Sequence, residues 1–286
     1  MRVLVTGVKG QLGYDVVNEL NQRSHEAIGV DIDEMDITDE GQVKKVLQEL
    51  KPDAVIHCAA WTAVDAAEDE SNRDKVYKIN VNGTKYIAQQ CERLGCKMMY
   101  ISTDYVFDGN GTAPWQPDCK DFNPLNYYGQ TKLEGEFAVS NLLEKFFIVR
   151  IAWVFGKNGA NFIKTMLNIG KTHQELRVVN DQIGTPTYTL DLARLLVDII
   201  ETDQYGYYHA TNEGGYISWA DFAKEIFRQA GYPTKVVPVS TEEYGLSKAR
   251  RPYNSRLDKS KLTKNGFALL PAWQDALMRY LKEIDY

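Results

Sequence analysis

Val3-Leu4-Val5-Thr6-Gly7-Val8-Lys9-Gly10-Gln11-Leu12-Gly13 runs from a short apolar strand through a glycine triplet into a helical pattern. The first glycine permits a tight turn off the strand, and the next two let backbone and helix approach closely. Such an order suits a dinucleotide: the pyrophosphate would lie on the helix that opens with Gln11 and Leu12, where unpaired N–H groups and the helix dipole favour negative charge. The spacing is Gly-x-x-Gly-x-x-Gly rather than Gly-x-Gly-x-x-Gly, and glycines carry no chemistry themselves, so context must decide. Asp31, closing a second strand, is placed to accept hydrogen bonds from the adenosine ribose hydroxyls and to repel a 2′-phosphate, which favours NADH. Lys9, inside the glycine loop, pulls toward NADPH. The coenzyme therefore stays open between the two. Asp36 and Ile37 would flank the adenine, and Ala59 and Ala60 would line the cofactor groove, with ordinary loop or packing duty as the alternative.

Outward from this stretch, short β-rich runs alternate with helical periodicity. Strands are expected at 3–6, 27–30, 54–58, 98–102 and 146–151, and helices at 11–22, 40–50, 73–94 and 126–143. Alternation of this kind predicts an α/β fold, a Rossmann-type doubly wound parallel sheet with right-handed crossovers. Beyond about residue 150 the alternation fades into loops and helices at 160–172, 189–201 and 218–230 and a terminal helix from Ala272. The expected organisation is a dinucleotide-binding domain over 1–150 and a smaller, mainly substrate-binding part over 151–286, with segments interleaving between them.

Bulk properties narrow the classes. A chain of 286 residues can bury a sizeable core, and a net charge of -6 argues against nucleic acid or an anionic membrane as partner. No leader segment or membrane-length apolar run appears, so a cytoplasmic protein is expected. The 4 cysteines contain no Cys-x-x-Cys pair, and the 4 histidines show no zinc-ligand spacing, so no metal is expected.

Tyr128 and Lys132 fall one helical turn apart on one face, so an ammonium can sit near a phenol. A nearby cation favours phenolate, which would bring the phenol closer to working pH for proton transfer. Tyr128 would protonate a ketone oxygen while hydride reaches the carbon, and Thr103, at the end of Ile101-Ser102-Thr103, would hydrogen-bond the same oxygen. Tyr-x-x-x-Lys is common by chance. Its weight comes from the glycine loop and the strand-end Ser-Thr, which a doubly wound fold gathers at one edge.

This ordered set resembles the extended short-chain dehydrogenase/reductases, and within them most the dTDP-4-dehydrorhamnose reductase family, over nearly the whole chain. The specific stretches are Ala59-Ala60-Trp61-Thr62-Ala63-Val64-Asp65, Ser102-Thr103-Asp104-Tyr105-Val106-Phe107-Asp108-Gly109, Tyr128-Gly129-Gln130-Thr131-Lys132 with Gly135-Glu136, and Arg150-Ile151-Ala152-Trp153-Val154-Phe155-Gly156. Asn161-Phe162, Asn180-Asp181-Gln182, Pro186-Thr187, Arg251-Pro252 and Asn254-Ser255-Arg256 follow.

The resemblance implies reduction of the C4 ketone of a dTDP-4-keto sugar by NADPH or NADH. Thr103, Tyr128 and Lys132 would be the catalytic trio, with Lys132 also on the nicotinamide ribose and Thr62 and Ser102 beside the cofactor. Val64, Tyr105 and Trp153 would line the sugar pocket; core packing is the alternative for Trp153. Arg251 and Arg256, in the basic stretch 248–256, would meet the substrate diphosphate or else form a solvated face. Related dehydratases carry an acid-glutamate pair after the threonine; here the pair is Asp104-Tyr105, which favours ketone reduction over elimination. Some family members are magnesium-bridged dimers, but Tyr188-Thr189-Leu190-Asp191 lacks the glutamate, so no metal is carried over and a monomer or homodimer is expected. Competing readings are a reductase of another 4-keto-deoxysugar nucleotide and a noncatalytic dinucleotide-binding regulatory subunit.

Overall fold

The computed structural model describes residues 1–284 and 286. Five strands of the first half, β1 (Arg2–Thr6), β2 (Glu26–Val30), β3 (Ala54–His57), β4 (Lys97–Thr103) and β5 (Phe146–Ile151), form a parallel sheet, as the alternation predicts. A sixth strand, Gly206–His209, pairs parallel with β5. From one edge the order runs Gly206–His209, β5, β4, β3, β1, β2, so chain direction across the sheet reverses between β1 and β3. Loops leaving those two strands diverge, which opens a crevice at their carboxyl ends.

The strands are apolar on both faces because helices cover both. Val3, Val5, Ala54 and Ile56 pack with Leu12, Val16 and Leu20 of α1 (Gln11–Gln22) and with Leu192, Leu195 and Leu196 of the helix Thr189–Ile200. Leu4 and Val55 point the other way, onto Val43 and Leu47 of α2 (Glu40–Leu50), Ile87 and Cys91 of the helix Thr84–Leu94, and Val139 of the helix Tyr127–Ser140.

The helix expected over 73–94 begins at Glu70 and is interrupted by a π-helical segment, Lys78–Gly83. That wider turn carries buried Asn80, whose amide oxygen accepts from Trp61 N at 2.8 Å and whose amide nitrogen donates to Thr131 Oγ1 at 3.0 Å. A π-bulge here thus ties the loop after β3 to the helix bearing Tyr128.

Asn126 and Asn161, expected as first helical residues or close to it, act as N-caps: their side chains accept from Gly129 N at 2.8 Å and Lys164 N at 3.1 Å. A second core joins the helices Phe162–Gly170, Trp219–Ala230 and Trp273–Glu283. Beside it lies a parallel pair, Glu175–Val179 with Lys235–Val239. The sequence reading placed no strand in this half, since each is at most five residues long and carries no extended apolar run. Among the described residues no helix is long and apolar enough to cross a membrane.

Candidate active site

The carboxyl ends of the sheet strands face a cleft of about 950 Å³, walled on the far side by residues of the second core. Gly7 turns off β1 with φ of 71°, and a Cβ on it would lie 2.8 Å from the Ala59 backbone. A Cβ on Gly13 would collide with the Gly7 carbonyl. Both glycines are therefore demanded by the close passage of α1, the loop and the chain after β3. Gly10 is the N-cap of α1 and supplies no side-chain cap, so the first N–H groups of the helix remain available to an anion at the cleft floor. This cradle fits a dinucleotide pyrophosphate.

Gly7, Lys9, Gly10, Gln11, Leu12 and Gly13 all line the cleft. So do Asp31, Asp36, Ile37, Ala59, Ala60 and Thr62. Asp31 accepts a hydrogen bond from the Lys9 backbone N–H at 2.9 Å, pinning the glycine loop to the end of β2. The Lys9 ammonium pairs with Asp33, which the sequence reading did not single out. Three charges, Asp31, Asp33 and Lys9, thus sit together beside the glycine loop. The Gln11 amide oxygen reaches away from the loop, accepting from Gly156 N at 2.9 Å and Asn161 Nδ2 at 3.1 Å, so it couples the start of α1 to the second half.

Ser102, Thr103, Tyr128 and Lys132 meet in the middle of the cleft. Thr103 ends β4 and its hydroxyl donates to Asp104 Oδ1 at 3.1 Å. Lys132 is almost fully enclosed: its ammonium donates to the Ile101 carbonyl at 2.7 Å and lies 4.0 Å from the centre of the Tyr100 ring. Burial pushes its pKa down to about 7, against the pull of Glu136 and Cys58.

Tyr128 keeps part of its surface in the cleft, yet protein crowded round its hydroxyl strips away water and pushes the phenol above its ordinary value, with Asp104 adding to the rise and a hydrogen bond with Thr103 opposing it. The expected lowering by Lys132 is absent because that ammonium is turned to a backbone carbonyl. The consequence suits an acid: Tyr128 holds its proton at neutral pH.

Trp153 sits in the left-handed region at φ of 50°, unusual for a bulky side chain, at the turn that follows β5. Its ring stacks on Trp219 with centroids 3.7 Å apart and planes 16° apart, and both rings wall the cleft with Phe162. Tyr105 and Val64 line the cleft as well. Tyr105 meets Tyr128 edge to face at 5.7 Å.

Arg251 is not a cleft-lining residue; it stands behind Tyr105, donating to the Tyr105 hydroxyl at 3.3 Å while its other nitrogen pairs with Asp65 at 2.5 Å. Arg256 is not brought to the cleft lining; its guanidinium donates to Asn254 Oδ1 at 2.9 Å and lies over the Tyr216 ring. Trp219 and Asp104 are cleft residues to which the sequence reading assigned no role. Trp219 opens a helix behind a Ser218–Asp221 capping box, a local signal for a helix start that says nothing of what the tryptophan faces.

Comparison with known proteins agrees with this geometry along the full chain. The sequence profile of the RmlD substrate binding domain family matches residues 1–286. The spore coat polysaccharide biosynthesis protein SpsK of Bacillus subtilis (strain 168) is 41% identical over 99% of this chain and 97% of its own length. A dTDP-4-dehydrorhamnose reductase of Aggregatibacter actinomycetemcomitans is 40% identical over 96% of this chain and 97% of its own. The crystal structure of the dTDP-4-dehydrorhamnose reductase of Bacillus anthracis strain Ames in complex with NADP superposes with a TM-score of 0.94 at 43% identity, covering 99% of both chains. A profile matching end to end, together with relatives of this identity and coverage, establishes that the chain belongs to the RmlD substrate binding domain family.

Proposed function

We propose that this protein reduces the C4 ketone of dTDP-4-dehydro-L-rhamnose to dTDP-L-rhamnose, using NADPH or NADH, as a cytoplasmic monomer or homodimer. The observation that carries the reading is the convergence of Thr103, Tyr128 and Lys132 in one cleft with a glycine cradle shaped for pyrophosphate. The relatives named as dTDP-4-dehydrorhamnose reductases, one of them bound to NADP, support the substrate and the coenzyme. A bound reduced nicotinamide would supply the hydride to the ketone carbon. Tyr128 gives its proton to the ketone oxygen as the alcohol forms. Thr103 donates a hydrogen bond to that oxygen as negative charge builds on it, in a setting where water is scarce and such a bond is strong. Lys132 would hold the cofactor ribose, its ammonium placed in the cleft by the Ile101 carbonyl. Trp153, backed by Trp219, forms the wall against which the sugar ring lies, and Arg251, behind Tyr105, meets the diphosphate once Asp65 releases it. The first part of the chain, 1–150, serves mainly the dinucleotide and 151–286 mainly the nucleotide sugar.

The test is direct: purified protein mixed with dTDP-4-dehydro-L-rhamnose and either coenzyme oxidises the nicotinamide and yields dTDP-L-rhamnose. Tyr128→Phe keeps cofactor affinity and loses about 10² to 10⁴ in kcat. Coenzyme binding without turnover of this or any related 4-keto sugar would turn the assignment to a noncatalytic subunit, and an undiminished Tyr128→Phe would remove Tyr128 as proton donor.

A further inference from the structure

We propose that Glu136 is a positioning residue for the reduction, holding Lys132 as a cation at the reacting centre, with Arg150 and Ser102 fixing its carboxylate in place. The inference rests on the reductase reading above. Glu136 lies one helical turn after Lys132 on the same face of the helix Tyr127–Ser140, and both are buried. Its Oε1 accepts from Ser102 Oγ at 2.5 Å and Arg150 Nε at 2.8 Å, and its Oε2 accepts from Arg150 Nη2 at 2.7 Å. Arg150 is enclosed in turn: Nη1 donates to the Pro117 carbonyl at 3.0 Å, and the guanidinium lies against the rings of Phe107, Phe122 and Tyr207. Both partners of this two-pronged ion pair have side chains fully withdrawn from water.

An ion pair of that kind is a poor device for stability alone. Stripping water from both charges costs about as much as their attraction returns, and an apolar pair of the same volume fills such a space at least as well. Placement beside the reacting centre supplies a reason for it. The groups facing the Lys132 ammonium are the Tyr100 ring and Ile101 carbonyl of β4, His57 at the end of β3 with Cys58 after it, and Glu136 from its own helix. Burial pushes His57 down to about 3 and Cys58 up to about 12, so both are neutral at physiological pH, and Tyr128 keeps its proton. Lys132 has no carboxylate within ion-pair distance among the described residues, and Glu136 is the anion left to offset its burial. The same carboxylate holds Ser102, the residue between the carbonyl that receives Lys132 and the hydroxyl of Thr103. One anchored anion therefore sets the charge of Lys132 and the position of the strand end beside it.

The experiment compares the wild type with Glu136→Gln, Glu136→Asp and the apolar double variant Glu136→Met/Arg150→Met. One readout is the titration of Lys132 followed by ¹³C NMR in lysine-labelled protein, its resonance assigned with Lys132→Arg. A second is the pH profile of kcat for ketone reduction. Removing the carboxylate lowers the Lys132 midpoint by at least about one pH unit and moves the high-pH fall of kcat the same way. Glu136→Asp restores most of both. If Glu136→Gln strands Arg150 and does not fold, the double variant, which buries no charge, carries the comparison. A double variant that melts like the wild type and also titrates Lys132 where the wild type does would make the ion pair purely structural and overturn the proposal. A wild type without turnover would instead remove the reductase reading, while the NMR titration still decides the role of Glu136.

Discussion

Asp104 follows the strand-end threonine, is buried, and has one carboxylate oxygen without a hydrogen-bond partner. Burial raises its pKa to about 6, partly offset by hydrogen bonds with Ser255 and Thr103. The folded value lies above the unfolded one near 3.9, so between roughly pH 4 and 6 the folded state binds more protons. Stability from this group is present below about pH 4 and is lost as pH rises through about 6, by roughly 3 kcal/mol in total. Asp104→Asn is expected to remove that component, so urea unfolding at pH 4.5 and 7.5 should differ less in the variant than in the wild type. Asp15, also raised to about 6 mainly by burial, keeps its own contribution of the same sign in both proteins. Equal pH dependence in the two would mean that Asp104 is hydrated in solution. Position alone marks this residue in the sequence; nothing there announces that its carboxylate is enclosed, because burial is settled only when separate segments pack together, and one of its hydrogen-bond partners, Ser255, lies far along the chain.

At the scale of elements, α1 is where two halves of the molecule are fitted together. Its first turn takes the cofactor cradle from Gly10 and Gly13, while Gln11 carries hydrogen bonds to Gly156 and Asn161, and its outer face packs on the helix Thr189–Ile200. Gly13→Ala would force the helix away from Gly7. Overpacking of this kind costs about 1–3 kcal/mol, and it should weaken dinucleotide affinity more than it lowers Tm, which cofactor titration beside thermal melting would distinguish. Affinity unchanged despite the added methyl would show that the loop yields instead of the helix. The glycines were legible from spacing because φ above zero and sub-van der Waals approach are demands of the backbone itself. Gln11 was legible as a helix start beside the pyrophosphate, but not its side-chain contacts, since those partners lie about 150 residues downstream. The π-segment Lys78–Gly83 was not legible at all: its sequence continues the helical pattern, and the wider turn is justified by Asn80 bridging Trp61 and Thr131.

For the molecule as a whole, the C-terminal helix Trp273–Glu283 closes the second core and clasps the first through one charge cluster. Arg279 donates to both oxygens of buried Asp191, at 2.8 and 2.7 Å, and Asn212 donates to the same carboxylate at 2.8 Å. Arg279→Ala leaves that carboxylate buried without its cation and should cost roughly 3 kcal/mol, read as a lowered Tm with the coenzyme affinity of the surviving folded protein near normal. An unchanged Tm would mean that Asn212 and solvent suffice for Asp191. The strand Gly206–His209 and the helix Thr189–Ile200 likewise come from the second half and complete the layers of the parallel sheet. Alternating apolar runs, the glycine triplet and the Tyr128/Lys132 offset determined the sheet, the cradle and the presence of both side chains in one cleft, because each follows from local backbone geometry repeated over a few residues; where the Lys132 ammonium points was left to the Ile101 carbonyl. The tertiary structure alone decided that Trp153 would lean on Trp219, that Arg256 would turn to Asn254 instead of the cleft, and that Glu136 would be gripped by Arg150 behind Lys132. Those are contacts between side chains from separate elements, and no periodicity records which surfaces meet when apolar faces leave water and draw their polar neighbours in with them.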